Sequence, residues 1–174
     1  MSLETLPLAL LIGTLAFQCA HVAMHVWARH GPPYGAWARD DAAVGYMGAL
    51  LWFALVVATR STIALAPWAG AALGLPLVVL GLCVHGAGIR DLRRYRDGPS
   101  LVVQGIYRRL RHPIYYGWAL VSFGMPLPLL SWTGLVTAPL WSILVLLIAR
   151  LEEAGLRRGL PPGEYDAYAR TTWL

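Results

Sequence analysis

The sequence predicts an all-α integral membrane protein with five transmembrane helices, from its composition, its long apolar stretches and the positions of its arginines. Of its 174 residues, 57% are hydrophobic and only 13% are charged, and the mean hydropathy is +0.55. A water-soluble domain of this length carries roughly 25% charged residues, because its surface must be solvated. The composition therefore excludes an ordinary soluble globular domain.

The apolar stretches set the number of helices. A helix needs roughly 17 to 25 apolar residues to cross the hydrocarbon core of a bilayer. Five stretches have about this length: Leu6–Trp27, Ala42–Thr59, Trp68–Ile89, Ile114–Leu130 and Trp132–Ile148. No basic run precedes the first stretch, so we expect a retained helix and not a cleaved signal peptide. The last two stretches are nearly contiguous, which predicts a tight helical hairpin over residues 114–148.

The charge distribution predicts the orientation in the membrane. All 14 basic residues are arginines, and Arg60 alone falls on the opposite side of the predicted spans from the others. By the positive-inside rule, the N-terminus lies outside, and the segment 90–111 and the C-terminus lie in the cytoplasm. Arginines that flank spans also explain the net charge of +5 through contacts with membrane lipids, so no nucleic-acid partner is expected.

Two polar cytoplasmic segments, Arg90–Tyr116 and Arg150–Leu174, flank the predicted hairpin. Because its helices are antiparallel, His112 and Glu152 should lie at the same membrane face. Pro113 suits the first turn of a helix, whose positive end attracts carboxylates, whereas a glutamate pair attracts cations. A second interpretation stays open, in which the pair is solvated and neutralised by neighbouring arginines.

Other polar residues inside the predicted spans allow several interpretations. His21 and His25 share a helix face with Gln18. Packing inside the bundle is favoured over lining of an acceptor pocket, and a metal or haem site is least favoured. Cys19 and Cys83 have no metal-ligand spacing and are interpreted as small apolar residues, so no metal is expected. The Gly-x-x-x-Gly pattern at residues 70–74 predicts close helix packing within the bundle.

The C-terminal half resembles the isoprenylcysteine carboxyl methyltransferase family and its phospholipid methyltransferase relatives. The resemblance covers residues 101–170 and rests on four motifs: Gly105-x-Tyr107, Arg111-His112-Pro113-x-Tyr115, Glu152-Glu153 and Gly163-Glu164-Tyr165-x-x-Tyr168. It implies a single transmembrane methyltransferase domain over residues 1–174, which uses S-adenosylmethionine and lies in a prokaryotic inner membrane. Residues 1–89 would form a three-helix part and residues 90–174 the cofactor-binding part, with a cytoplasmic pocket and an amphipathic C-terminal segment.

The resemblance implies the residues of the cofactor site, and the residue types nearby add candidates for catalysis and substrate binding. The predicted cofactor site consists of Leu101, Val102, Tyr107, His112, Pro113, Ile114, Tyr115 and Glu152. Arg111, Glu153 and Tyr116 are candidate catalytic residues, the last two as bases for an acceptor that arrives protonated. Candidate substrate-binding residues are Arg150, Trp118 and His25.

The acceptor is predicted to be a lipophilic molecule that enters from the bilayer. An isoprenylcysteine-like carboxylate is favoured, and a phospholipid amine or a small thiol is the alternative. Ile148 occupies the position where eukaryotic carboxyl methyltransferases have an arginine linked to the substrate carboxylate. An NADPH-dependent enzyme similar to sterol reductases and a non-enzymatic lipid-binding protein are further alternatives, and the sequence leaves the oligomeric state open.

Overall fold

The computed structural model describes residues 5–28, 38–95 and 101–173, and this part of the chain is all-α, as predicted. Its six α-helices are α1 Leu6–Ala28, α2 Ala38–Ala58, α3 Pro67–Tyr95, α4 Pro113–Gly124, α5 Trp132–Gly159 and α6 Glu164–Thr171. A 3₁₀ turn over Gly105–Arg108 precedes α4. Helix α1 packs on α2 and α5, whereas α4 packs between α5 and α3.

Several polar residues of the helices are buried while many large apolar ones are exposed, as expected for a protein in a bilayer. On α1, Leu8 and Ile12 are more than half exposed, whereas Gln18 and His21 are buried. On α5, Ile143 is 62% exposed. Three helices are long and apolar enough to cross a membrane, over Leu6–Trp27, Pro67–Tyr95 and Trp132–Gly159, and Ala43–Ala58 is a shorter apolar helix. The chain is therefore a membrane protein.

The fourth predicted span is shorter than the sequence suggested. Helix α4 has 12 residues and ends at Gly124, and residues 125–130 form turns. At 1.5 Å per residue α4 is about 18 Å long, less than the roughly 30 Å hydrocarbon core. Pro126 and Pro128 account for the difference, because proline lacks the N–H that would continue the helical hydrogen bonding. The predicted span Ile114–Leu130 is thus wrong as a continuous helix.

Helix α5 is correspondingly longer than predicted. It begins at Trp132, where the Ser131 side chain accepts a hydrogen bond from the Gly134 N–H at 3.0 Å, and continues to Gly159. Its 28 residues extend about 42 Å, which exceeds the thickness of the hydrocarbon core. The last turns of α5, with Glu152 and Glu153, are thus a continuation of the membrane helix itself.

Glycines bring α3 and α4 into backbone contact. A Cβ atom at Gly81 of α3 would lie 2.7 Å from the Gly117 carbonyl oxygen of α4, and one at Gly124 would lie 2.8 Å from the Gly74 oxygen. The Gly-x-x-x-Gly pattern at residues 70–74 thus packs within the bundle, as predicted, against α4 and the turns that follow it. This contact fixes the start of α4 beside the end of α3.

We expect Gly81→Ala to destabilise the protein by about 1–3 kcal/mol, because the added methyl group meets backbone and cannot be accommodated by side-chain movement. Gly86→Ala on the same helix is the matched control, since nothing lies within 4 Å of its Cβ position. Thermal unfolding in one detergent should show a lower midpoint for Gly81→Ala alone. Equal midpoints for the two variants would contradict the proposed close packing.

Candidate active site

A cavity of about 360 Å³ lies among the helices and extends along one face of α5. Helix α5 contributes residues at intervals of three and four, which place their side chains on the same face: Trp141, Val145, Ile148, Glu152 and Leu156. From Trp141 to Leu156 this face is about 22 Å long. The end near Leu156 also contains Tyr165 and Tyr168 of α6, and the end near Trp141 contains Gln18, His21 and Ala49. The two ends of the cavity are therefore lined by different sets of side chains.

The segment before α4 forms one wall of the cavity, and Asp91 of α3 holds it in place. Asp91 is 3% exposed, and its carboxylate accepts hydrogen bonds from the Ile106 N–H at 2.8 Å and the Arg90 Nε–H at 2.9 Å. Gly105 has φ +60, and a Cβ atom there would collide with the Asp91 carboxylate. Glycine is thus required at this turn, which directs Tyr107 to the cavity.

Helix α6 covers the end of the cavity near Leu156. The buried Tyr168 hydroxyl donates a hydrogen bond to the Tyr107 carbonyl oxygen at 2.8 Å. Burial raises the pKa of Tyr168 to about 12 and also raises the pKa of Tyr165, so both phenols are neutral at physiological pH. Beyond α6, the Trp173 N–H donates to the Arg109 carbonyl oxygen at 2.7 Å. The C-terminal segment is thereby joined to the wall that Tyr107 belongs to.

The glutamate pair divides into two different environments. Glu153 is 3% exposed, and its Oε1 lies 3.0 Å from His112 Nε2 and 3.4 Å from Arg111 Nη1. Its Oε2 lies 3.5 Å from Arg150 Nη1 and 3.8 Å from Arg157 Nη2. Glu152 lines the cavity, and its Oε2 lies 3.9 Å from His112 Nδ1. Glu153 is therefore the charge that binds the segments together, and Glu152 is the carboxylate that faces the cavity.

The structure brings most of the predicted cofactor residues together at the cavity. Those that line it are Leu101, Val102, Tyr107, His112, Ile114, Tyr115 and Glu152, and the predicted residues Arg111 and Trp118 line it too. Pro113 is not among the lining residues; it is buried in the first turn of α4, against Gly88 of α3. The predicted proximity of His112 and Glu152 is confirmed.

Four other predicted site residues lie outside the cavity lining. Glu153 is enclosed by its cationic partners, and Arg150 pairs with it from a side chain that is 56% exposed. Tyr116 lies in a separate groove with Leu110 and Trp173. The His25 ring contacts the His21 ring at 5.2 Å, and it is His21 that lines the cavity.

The sequence prediction missed several lining residues. Tyr165 and Tyr168 belong to a motif that carried the resemblance, so their spacing could have identified them. Gln18 and His21 had a weaker signal, a polar face on an apolar helix. Tyr46 and Trp141 gave no signal, because aromatic residues in spans usually contact lipid or the helix core. The polar and aromatic lining residues that were not among the predicted site residues are Gln18, His21, Tyr46, Arg93, Trp141, Tyr165 and Tyr168.

Comparison with known proteins identifies a family for the chain. The model of the phospholipid methyltransferase family matches residues 69–160, more than half of the chain. The matched region runs from α3 through α5 and contains the wall that Tyr107 belongs to and both glutamates. Helices α1 and α2, which supply Gln18, His21 and Tyr46, precede it. No curated protein and no solved structure matched the chain.

Proposed function

The chain belongs to the phospholipid methyltransferase family, and from that premise we propose that it transfers the methyl group of S-adenosylmethionine to a lipophilic acceptor. Membrane helices and family membership together make it a membrane methyltransferase. The observation that supports the cofactor most directly is the position of Glu152, a carboxylate at the cavity surface beside a second carboxylate that is fully engaged elsewhere. These findings favour a methyltransferase over the sterol-reductase and lipid-binding alternatives.

The residues near α6 fit the chemical groups of S-adenosylmethionine. Its ammonium needs a carboxylate, which Glu152 provides. Its carboxylate needs a cation, and the Arg111 guanidinium has five N–H donors, more than its contacts with Glu153 and the Trp173 carbonyl oxygen use. Leu101, Val102 and Ile148 offer an apolar surface for the nucleoside. Bound there, S-adenosylmethionine would supply an electrophilic methyl group on its sulfonium.

The chain's own residues would mainly position the acceptor and exclude water. Methyl transfer is a displacement, so orientation in a water-poor site supplies much of the acceleration. Trp141, Val145 and Ile148 form an apolar wall continuous with the Glu152 end of the cavity. Entry of the acceptor from the bilayer suits such an apolar wall. Equal turnover of water-soluble acceptors and their lipid-tailed analogues would contradict this entry route.

The possible acceptors differ in how well they suit the apolar wall formed by Trp141, Val145 and Ile148. The sequence favours an isoprenylcysteine-like carboxylate, with a phospholipid amine or a small thiol as the alternative. Ile148 lines the cavity and is 1% exposed, so the position expected to hold an arginine in carboxyl methyltransferases is apolar here. A carboxylate bound beside Ile148 would have no charged partner at that position.

We also propose the predicted topology of five crossings, with the N-terminus outside and the site in the cytoplasm. The short α4 would cross together with the turns at 125–130. Fusions test this directly. A fluorescent protein at the C-terminus should fluoresce, and alkaline phosphatase inserted after Thr62 should be active. Active alkaline phosphatase in a C-terminal fusion would show that the orientation is the opposite of the proposed one.

Methyl transfer can be tested with the protein in vesicles of a total lipid extract. Incubation with S-adenosylmethionine labelled on its methyl group should place the label in the organic-soluble fraction. Mild alkali releases the label from a methyl ester but leaves N-methyl and S-methyl groups intact, which distinguishes the acceptor classes. Label that stays entirely water-soluble, as in vesicles without protein, would contradict the proposed activity.

Glu152→Gln should weaken S-adenosylmethionine binding about 10- to 100-fold, since it removes the charge partner of the ammonium but keeps the shape. Binding of methylthioadenosine, which lacks both ammonium and carboxylate, should be unchanged. Isothermal titration in detergent measures both affinities. Glu164→Gln, at an exposed acid of α6, is the matched control. Unchanged affinity for S-adenosylmethionine in Glu152→Gln would remove Glu152 from the site.

A further inference from the structure

A groove separate from the cavity lies between α3, α4 and the C-terminal segment. Its volume is about 630 Å³, within the range of roughly 300–1,000 Å³ that is common for ligand sites. Its lining residues are Val84, Leu110, Tyr116, Leu120, Thr172 and Trp173, and none of them lines the cavity. A ligand bound here would therefore occupy a different site from the one proposed for S-adenosylmethionine.

In the proposed topology the groove extends from the cytoplasmic membrane boundary toward the hydrocarbon core. On α3, Val84 lies six residues before Arg90, where the apolar part of the helix ends, a distance of about 9 Å along the axis. On α4, Leu120 lies seven residues after Pro113, about 10 Å further along that helix. At the other end Trp173 is 78% exposed, as is typical of tryptophan at a membrane interface. The apolar lining is thus placed to contact an acyl chain.

Backbone contacts build the cytoplasmic end of the groove. Leu110 and Trp173 form a β-bridge, in which the Trp173 N–H donates to the Arg109 carbonyl oxygen at 2.7 Å. The Arg111 N–H donates to the Trp173 carbonyl oxygen at 3.2 Å. Both side chains of the bridge line the groove. The C-terminal segment therefore forms a defined edge of the groove, beside the first turn of α4.

The polar groups at this end are hydrogen-bond donors and cations. Tyr116 is partly exposed, and its hydroxyl makes no hydrogen bond to the described residues. It interacts electrostatically with Arg150, Arg111 and Glu153. The Arg150 side chain is 56% exposed, and its one ion pair among the described residues joins Nη1 to Glu153 at 3.5 Å. Because a guanidinium has five N–H donors, Arg150 can also bind a ligand.

The charge around the groove favours a ligand with net negative charge. From residue 105 to residue 173 the chain has seven arginines and four acidic residues. The acidic residues of α5 are engaged elsewhere, since both Glu153 oxygens contact cations and Glu152 lines the cavity. A zwitterionic head group would need a carboxylate for its ammonium, whereas an anionic head group needs only the donors and cations.

From this arrangement we infer that the groove binds one anionic phospholipid of the surrounding membrane. Its phosphate accepts hydrogen bonds from the Tyr116 hydroxyl and the Arg150 guanidinium, and one acyl chain lies along the apolar lining. The sequence suggested roles for both residues in the active site, and this inference places them at a lipid site outside the cavity. The lipid contacts α3, α4 and the C-terminal segment together, so its binding stabilises the folded protein. The inference does not rest on the proposed methyltransferase function.

Native mass spectrometry can test lipid binding directly. The protein is mixed in detergent with equal amounts of phosphatidylglycerol and phosphatidylcholine whose acyl chains are distinguishable by mass but similar in length. One phosphatidylglycerol should be retained per protein, with a preference of about tenfold over phosphatidylcholine. Phosphatidylglycerol should also raise the unfolding midpoint more than phosphatidylcholine does.

Two variants test the assigned contacts. Arg150→Gln should abolish the preference for phosphatidylglycerol, because it removes the charge beside the groove. Tyr116→Phe removes only a hydroxyl and should lower the affinity for phosphatidylglycerol about tenfold. The matched control is Arg158→Gln, which removes one charge from the same end of α5, at a side chain that donates to the Ala154 carbonyl oxygen. It should keep the preference.

Three results would overturn the inference. These are equal retention of the two lipids by the wild-type protein, an unchanged preference in both Arg150→Gln and Tyr116→Phe, and a loss of preference in Arg158→Gln as large as in Arg150→Gln. The last result would mean a general attraction of anionic lipid to basic residues. Failure of the wild-type protein to bind S-adenosylmethionine would contradict the proposed function but would not affect this inference.

Discussion

The arrangement of the site depends on one buried carboxylate, that of Glu153. Its hydrogen-bond contact with His112 and its ion pair with Arg111 connect α5 to the segment before α4. A buried charge that loses a partner typically costs 3–5 kcal/mol, so these contacts hold the two elements at one separation. Adjacent residues of a helix point about 100° apart, and fixing Glu153 against His112 therefore turns Glu152 toward the cavity.

The other elements of the site are positioned from this junction. Asp91 holds the turn that directs Tyr107, and Tyr107 in turn accepts the hydrogen bond from Tyr168 of α6. The glycine contacts between α3 and α4 keep Asp91 close to the start of α4. Each contact joins segments that are distant in sequence, so the cavity walls form only when the whole bundle is folded.

The sequence predicted the parts of the structure that depend on local pattern. Apolar length located the helices, and antiparallel connection placed His112 near Glu152. Two features were not predicted. Helix α4 ends at Gly124 because prolines follow it, although hydropathy continues to Leu130. The resemblance assigned Glu152 to the cofactor site, but the pairing of Glu153 with His112 and Arg111 depends on helix rotation and was not predicted.

The polar face of α1 shows a different kind of limit. The sequence placed Gln18, His21 and His25 on one face but gave no means of ranking them. His25 was predicted to contact the acceptor, whereas His21 and Gln18 line the cavity. Neighbouring helices decide which positions face a cavity, and here Gly45 and Gly48 of α2 make the room.

The central claim is that the cavity beside Glu152 binds S-adenosylmethionine. Titration of the purified protein with S-adenosylmethionine and, separately, with NADPH tests it most directly. The structure predicts saturable one-to-one binding of S-adenosylmethionine and at least about 100-fold weaker binding of NADPH, because the acidic Glu152 repels phosphate groups. Binding of NADPH as tight as that of S-adenosylmethionine, or no binding of S-adenosylmethionine, would contradict the claim.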